Sequence, residues 1–157
     1  MSVTLQIDSP YHPQVVALVE QLDSYLQALY PAESNHLVSI DALAQPNVLF
    51  CTVRAGGEVV GCGAALIHAA GYAELKRMSV AASHRGQGLG RRIVEFLEAE
   101  LVRRGITVAR LETGINQAEA IGLYERCGYY PIPPFGEYRE DPLSVFYEKQ
   151  LAAPSRQ

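Results

Sequence analysis

Apolar residues recur along the chain with two different periods. Residues 3–7 alternate apolar and polar positions, and this period of two predicts a strand. Over residues 14–29 the apolar positions fall three and four apart, which predicts an amphipathic helix that Pro31 ends. The same spacing over 88–104 predicts a second long helix, which Gly105 ends. Its predicted buried face consists of Leu89, Ile93, Phe96, Leu97 and Leu101.

The other predicted elements are shorter. Runs rich in β-branched and apolar residues predict five further strands, and two weaker patterns predict short helices. The strands are predicted over 48–54, 58–67, 72–80, 108–113 and 144–149, and the helices over 39–44 and 117–126. The residues Ala55-Gly56-Gly57 predict a hairpin turn, and four prolines between 131 and 142 predict a loop there.

The order of these elements predicts the fold class. Antiparallel strands come first and a β-α-β unit follows, which predicts a mixed α/β (α+β) sheet with helices on its faces. A chain of 157 residues is long enough to bury one core. We therefore expect a single domain over 1–152 and a short C-terminal tail over 153–157.

Charge is distributed unevenly along the sequence. The whole chain has a net charge of −4, whereas residues 76–110 hold eight basic and three acidic residues. An acidic chain argues against a nucleic-acid partner. The basic segment nevertheless predicts that an anionic ligand binds there.

Cysteine use and the N-terminus bear on the compartment. Cys51, Cys62 and Cys127 form no C-x-x-C pair, and with four histidines they predict no metal site. An odd and sparse cysteine count is typical of a reducing compartment. Because no apolar run is long enough to cross a bilayer, we expect a cytoplasmic protein without a membrane partner.

A glycine-rich turn is the most informative segment. It reads Arg85-Gly86-Gln87-Gly88-Leu89-Gly90 and lies between a predicted strand and a predicted helix. Unpaired N–H groups at a helix N-terminus attract anions, and glycines let a phosphate approach them closely. The turn lacks the Gly-Lys-Ser/Thr of a Walker loop and the third glycine of a dinucleotide fingerprint. It therefore predicts a phosphate site of another kind.

The sequence resembles the GNAT N-acetyltransferase superfamily over roughly residues 48–150. The acetyl-CoA motif of that superfamily matches Arg85-x-x-Gly88-x-Gly90, and its tyrosine-bearing helix matches the segment 123–129. The resemblance implies a mostly antiparallel sheet with one splayed parallel pair, and acetyl-CoA as cosubstrate without a metal. The cofactor-binding residues that it implies are Met78, Ser79, Val80, Arg85, Gly86, Gln87, Gly88, Leu89, Gly90, Arg91, Asn116 and Tyr124.

A closer likeness links the chain to a bacterial subgroup of this superfamily. It is carried by Glu33-Ser34-x-His36, Leu111-Glu112-Thr113-Gly114 and a segment from Phe135 to Phe146. Members of the subgroup are labelled amino-acid, indole-acetic-acid or histone-type acetyltransferases. Because those labels rest on similarity, they constrain the acceptor poorly.

The resemblance also suggests catalytic roles. Glu74 lies four residues before Met78, the position of the base in histone-acetylating relatives, and we expect it to act through a water; Glu112 is the alternative. Tyr124 is the candidate acid for the leaving thiolate, and the Met78 N–H is the candidate donor to the carbonyl oxygen. Asn116 is expected to cap the helix of Tyr124 or to contact the cofactor.

The expected function is transfer of an acetyl group to a primary amine of a small molecule, an amino acid or a simple amine, by direct attack in a ternary complex. Two alternatives stay open: a catalytically silent acetyl-CoA-binding regulatory module, and a protein-lysine acetyltransferase. Lys76 and Arg77 are adjacent in a predicted strand, and strand alternation predicts that they point to opposite faces. A homodimer is expected only by analogy with other superfamily members.

Overall fold

The computed structural model describes residues 2–34 and 38–151. The predicted tail 153–157 and His36 lie outside the described residues. Within these described residues, seven strands form one sheet, and four α-helices accompany it. The strands are β1 (Val3–Ile7), β2 (Val48–Ala55), β3 (Glu58–Ile67), β4 (Ala73–Val80), β5 (Val108–Gly114), β6 (Tyr130–Ile132) and β7 (Ser144–Gln150). The helices are α1 (Pro13–Leu29), α2 (Ile40–Leu43), α3 (Leu89–Arg103) and α4 (Ala118–Arg126).

The strands form one mixed sheet in the order β1-β2-β3-β4-β5-β7-β6. All neighbours are antiparallel except β4 and β5, which are parallel. That parallel ladder is short, since it pairs Ala73 with Ala109 and Glu74 with Arg110 and then ends. The two strands separate beyond these pairs, which confirms the predicted fold with its splayed parallel pair.

Each face of the sheet is covered by a helix. α3 packs on one face through a buried stripe that includes Ile93 and Leu97, and α1 packs on the other through Val15, Leu18 and Val19. The predicted stripe of α3 needs one correction. Phe96 is only partly buried, and its place in the stripe is taken by the fully buried Val94.

Strand β6 was not predicted, because its segment was interpreted as a proline loop. Pro131 has no backbone N–H, so it cannot donate a ladder hydrogen bond to a neighbouring strand. β6 is an edge strand, however, and among the described strands it pairs with β7 alone, where Pro131 lies opposite Tyr147. An edge position tolerates proline in a strand, so the segment pairs in spite of its composition.

A β-bulge in β4 overturns the prediction that Lys76 and Arg77 point to opposite faces. The register with β3 shifts between Cys62 and Ala64, and Arg77 has a positive φ of 58°. The Arg77 side chain therefore reaches Asp23 of α1. Lys76 lies opposite Ala64, which packs in the α1 cluster, so both side chains lie on the α1 face.

Among the described residues, no helix is long and apolar enough to cross a membrane.

Candidate active site

A cleft of about 200 Å³ passes through the gap between β4 and β5. Its walls include the segment 75–80 of β4 and the segment 112–114 of β5, beyond the point where their ladder ends. Gly90 of α3 and Tyr124 of α4 line it on one side, whereas Leu26 of α1 lines it on the other. The cleft is thus lined by helices from both faces of the sheet.

The glycine turn lies at the α3 end of this cleft. Gly88 is the residue before α3 and adopts a left-handed φ of 76°, and Gly86 has a φ of 78°. A Cβ on either glycine would meet no protein atom within 4 Å. Such open space in front of unpaired backbone N–H groups leaves room for a phosphate-bearing ligand.

The arginines of the turn are exposed. Arg85 donates from Nε to the carbonyl oxygen of Val80 at 3.1 Å. Arg91 forms an exposed pair with Glu95 at 3.4 Å between Nε and Oε2. Leu89 is a core residue, so only its backbone faces the turn. The turn therefore offers backbone N–H groups with exposed positive charge around them.

The structure brings some predicted site residues into the cleft and leaves others outside. Six of them line it: Met78, Ser79, Val80, Gly90, Glu112 and Tyr124. The segment 85–89 and Arg91 lie at its edge around the N-terminus of α3. Asn116 and Glu74 are not among the lining residues.

Asn116 does not cap the helix that follows it. The residue before α4 is Gln117, whose Oε1 accepts from the N–H of Gly114 at 2.9 Å. The N–H of Asn116 donates to the hydroxyl of Tyr30 at 3.0 Å, and the residue itself is exposed. The predicted cap is thus wrong by one residue, because this contact with Tyr30 and the link from Gln117 to Gly114 fix the start of the helix one position later.

Glu112 is the carboxylate of the cleft wall. It lies on β5 and is half-buried, and its Oε2 accepts from the hydroxyl of Ser144 on the neighbouring β7 at 2.8 Å. β5 presents Glu112 to the α1 face, while Leu111 points into the core on the α3 side. A carboxylate in this position can hold a cationic group inside the cleft.

Glu74 lies behind the wall in a buried network. It is 4% exposed, and its Oε1 lies 3.1 Å from Nε2 of His68. The hydroxyl of Tyr138 donates to its Oε2, and Lys76 donates from Nζ to the same hydroxyl at 2.7 Å. Lys76 also lines the cleft. Glu74 is therefore linked to the cleft by the hydrogen bonds through Tyr138 and Lys76.

Tyr124 is buried on α4 with its ring against Tyr129, at 5.9 Å between centroids. It lines the cleft on the α3 side of the gap. Burial, with smaller effects from Cys127 and Glu112, raises the pKa of its hydroxyl well above the usual value. The group therefore stays protonated at neutral pH and can donate a proton.

Two residues that line the cleft, Ser34 and Tyr30, were given no role from the sequence, although Ser34 lies in a segment that carries the closer likeness. Ser34, which follows α1, donates from Oγ to Oδ2 of Asp141 at 2.6 Å, joining two segments 107 residues apart. Tyr30 packs so closely on Gly114 that a Cβ there would overlap its ring. No local pattern marks such contacts, because they arise only when the sheet brings the segments together.

The part of the chain covered by 2–34 and 38–151 contains no group of three or more histidine, cysteine or acidic side chains that could hold a metal ion. The three cysteines are buried, and burial raises the pKa of the Cys62 thiol to about 12. Such a thiol is a poor nucleophile. Its side chain packs in the α1 cluster.

Known proteins are similar to this chain in both sequence and fold. A protein of Azospirillum brasilense named IAA acetyltransferase is 48% identical over 151 residues, which is 96% of this chain and 99% of that protein. A Klebsiella pneumoniae structure described as an acyl-CoA N-acyltransferase has a TM-score of 0.83 at 37% identity, covering 96% of this chain and 98% of that one.

A third relative supports the fold alone. The PaiA N-acetyltransferase of Thermoplasma acidophilum, solved in complex with coenzyme A, has a TM-score of 0.74 at 16% identity and covers 96% of this chain and 99% of its own. The family model described as the acetyltransferase (GNAT) family matches residues 15–129. With its splayed strands, its glycine turn and these relatives, the chain belongs to the GNAT family of acetyltransferases.

Proposed function

We propose that the protein transfers an acetyl group from acetyl-CoA to the primary amine of a small molecule, by direct attack in a ternary complex. The observation that carries this proposal is the single cleft through the gap between β4 and β5, lined from both faces of the sheet. Such a cleft lets two substrates enter from opposite faces and meet in the middle. Its volume of about 200 Å³ lies below the usual range for a ligand pocket, which favours a small acceptor over a large one.

The donor would be held on the α3 side. The N-terminus of α3 with Gly86 and Gly88 would bind the diphosphate, and the exposed Arg85 and Arg91 would add positive charge. The edge of β4 from Met78 to Val80 lies beyond the ladder with β5 and would bind the amide arm. Acetyl-CoA supplies an activated thioester, and the Met78 N–H is our candidate donor to its carbonyl oxygen.

The proton of the acceptor ammonium needs a base, since an alkylamine has a pKa of about 10. We assign this role to Glu112, because it lines the cleft whereas Glu74 does not. Glu74 would instead hold Lys76 of the cleft wall in place, both directly and through the hydroxyl of Tyr138. If Glu74 is the base, it must act through an intermediary such as water.

The leaving thiolate would take its proton from Tyr124. The raised pKa of this buried hydroxyl keeps the proton available at neutral pH. The buried cysteines support direct attack over a covalent acetyl-enzyme, because burial disfavours their thiolates.

A panel of small primary amines, amino acids and a lysine peptide, each assayed for CoA release, tests the function. We expect turnover with small amines and little with the peptide. Faster turnover of the peptide than of every small amine would favour the protein-lysine acetyltransferase. Tight acetyl-CoA binding without turnover of any acceptor would favour the regulatory module.

A further inference from the structure

We infer that the acceptor amine carries an apolar body, aromatic or branched, that binds against Leu22 and Leu26 of α1. This inference rests on the proposed function and names the substrate class for the same cleft. It concerns the half of the cleft on the α1 face.

The α1 half is the half left for the acceptor. The glycine turn and the N-terminus of α3 lie on the opposite side of the sheet from α1, since the two helices pack in separate clusters on its two faces. A donor whose diphosphate binds at that turn enters the gap from the α3 side. The mouth beside α1 is then the acceptor entrance.

The wall on this side is apolar. Leu22 and Leu26 lie one helical turn apart, are half-buried and line the cleft. Val38 and the ring of the buried Tyr30 continue the same wall. A polar body placed here would lose its water without gaining hydrogen bonds from leucine side chains.

The charged groups of this half confine the amine to one place. Two cations also line the cleft on this face. Arg77 pairs with Asp23 and donates from Nε to the Val38 carbonyl oxygen at 2.9 Å, and Nζ of Lys76 lies 3.5 Å from Oε2 of Glu74, so both charges are paired within the fold. Glu112 lies on β5, across the cleft from α1. Among the described residues that line the cleft, it is the one with a carboxylate side chain. An ammonium at Glu112 directs the rest of the acceptor toward the leucines.

Pairs of amines that have either an apolar or a polar body test this preference directly. Phenethylamine and isoamylamine are compared with ethanolamine and putrescine, and phenylalanine and leucine with serine and lysine. Because apolar groups in an apolar pocket change kcat/KM by about 10–200-fold, we expect the apolar member of each pair to be at least about tenfold better. Equal or better turnover of the polar amines would overturn the inference.

Substitutions on α1 locate the effect. We expect Leu26→Gln to lower kcat/KM for apolar amines by about tenfold while KM for acetyl-CoA stays unchanged. Leu29→Gln is the matched control, because Leu29 is on the same helix and 36% exposed but does not line the cleft. Leu26→Phe keeps the wall apolar but narrows it, and should shift the preference toward smaller amines.

Two results would contradict the role of the leucines as a wall for the acceptor. A rise in KM for acetyl-CoA in Leu26→Gln would mean that the wall contacts the donor. An equal loss in Leu29→Gln would mean that the effect is on folding.

Calorimetry separates this inference from the proposed function. If the wild-type protein releases no CoA with any amine, phenethylamine is titrated into the protein saturated with CoA. Binding that Leu26→Gln weakens and Leu29→Gln does not would support the apolar acceptor wall even though catalysis failed. Absence of binding, or binding unaffected by Leu26→Gln, would overturn it.

Discussion

The two halves of the cleft are built in different ways. The half that we propose for the donor comes largely from one continuous stretch, the end of β4, the glycine turn and the start of α3, over residues 78–91. The acceptor half is assembled from α1, the segment after it, β5 and the segment before β7, joined by contacts such as Ser34 to Asp141. A local motif can specify the first half, whereas only the complete fold creates the second.

The largest effect is expected in the acceptor half, at its carboxylate. Glu112→Gln keeps the shape but removes the base, so turnover should fall by on the order of 10²-fold to 10⁴-fold with little change in acetyl-CoA affinity. The rate should recover as pH rises, because an amine with a pKa of about 10 then loses its proton without help. Steady-state rates between pH 6 and 10 measure this.

Glu74→Gln is the matched comparison for that variant. We expect a smaller loss, about tenfold, because it disturbs Lys76 and Tyr138 without removing the carboxylate that lines the cleft. If Glu74→Gln loses more turnover than Glu112→Gln and it alone recovers at high pH, the base is Glu74.

In the donor half, a substitution in the glycine turn should weaken the binding of acetyl-CoA. In Gly88→Val a Cβ fills the space that the diphosphate needs, and the φ of 76° disfavours valine, so acetyl-CoA affinity should fall by about 10²-fold. Gly56→Val is the control, since Gly56 has a φ of 58° in the open turn between β2 and β3. Thermal shift with acetyl-CoA should vanish in the first variant and persist in the second.

A smaller effect is expected where the two halves meet, at Tyr124. Tyr124→Phe should lower turnover by about tenfold to 10²-fold, because a thiol with a pKa of about 8.5 leaves tolerably without a proton donor. The KM values of both substrates should stay near those of the wild type. A loss as large as that of Glu112→Gln would show that departure of the thiolate limits the rate.

The smallest effect is expected in the dependence of binding on salt, which should differ between acetyl-CoA and the acceptor amine. Arg85, Arg91 and Arg92 are exposed, so salt screens their attraction for a diphosphate, and acetyl-CoA affinity should fall several-fold between about 50 and 500 mM salt. Binding of an apolar amine should depend less on salt, apart from its ammonium at Glu112. Calorimetry at two ionic strengths checks both, and a donor affinity independent of salt would assign the binding to the backbone cradle alone.

The fold, which the structure confirms, and the residues that we propose for the donor could both be predicted from the sequence, because their signals are local. The period of α3 and the glycines before it lie within one window. In the described part of the chain, ten of the eleven strands and α-helices follow from such windows. The missing strand β6 depends on an edge position that no window reveals. The bulge at Arg77 likewise depends on the shifted pairing with β3 and on Asp23 of α1.

The acceptor half was predicted only in fragments for the same reason. Glu74 and Glu112 were both singled out, but which of them reaches the cleft depends on how Tyr138 and His68 bury Glu74. The leucines of α1 follow an ordinary core-facing pattern in the sequence. Their partial exposure to the cleft results from the separation of β4 and β5, a tertiary feature.

The central claim is that donor and acceptor occupy the two halves of one cleft at the same time. Initial velocities measured over a grid of acetyl-CoA and amine concentrations test it most directly. Double-reciprocal plots should give intersecting lines, as direct transfer in a ternary complex requires. Parallel lines, together with an acetylated protein isolated in the absence of amine, would contradict the claim, because the two substrates would then react in separate steps.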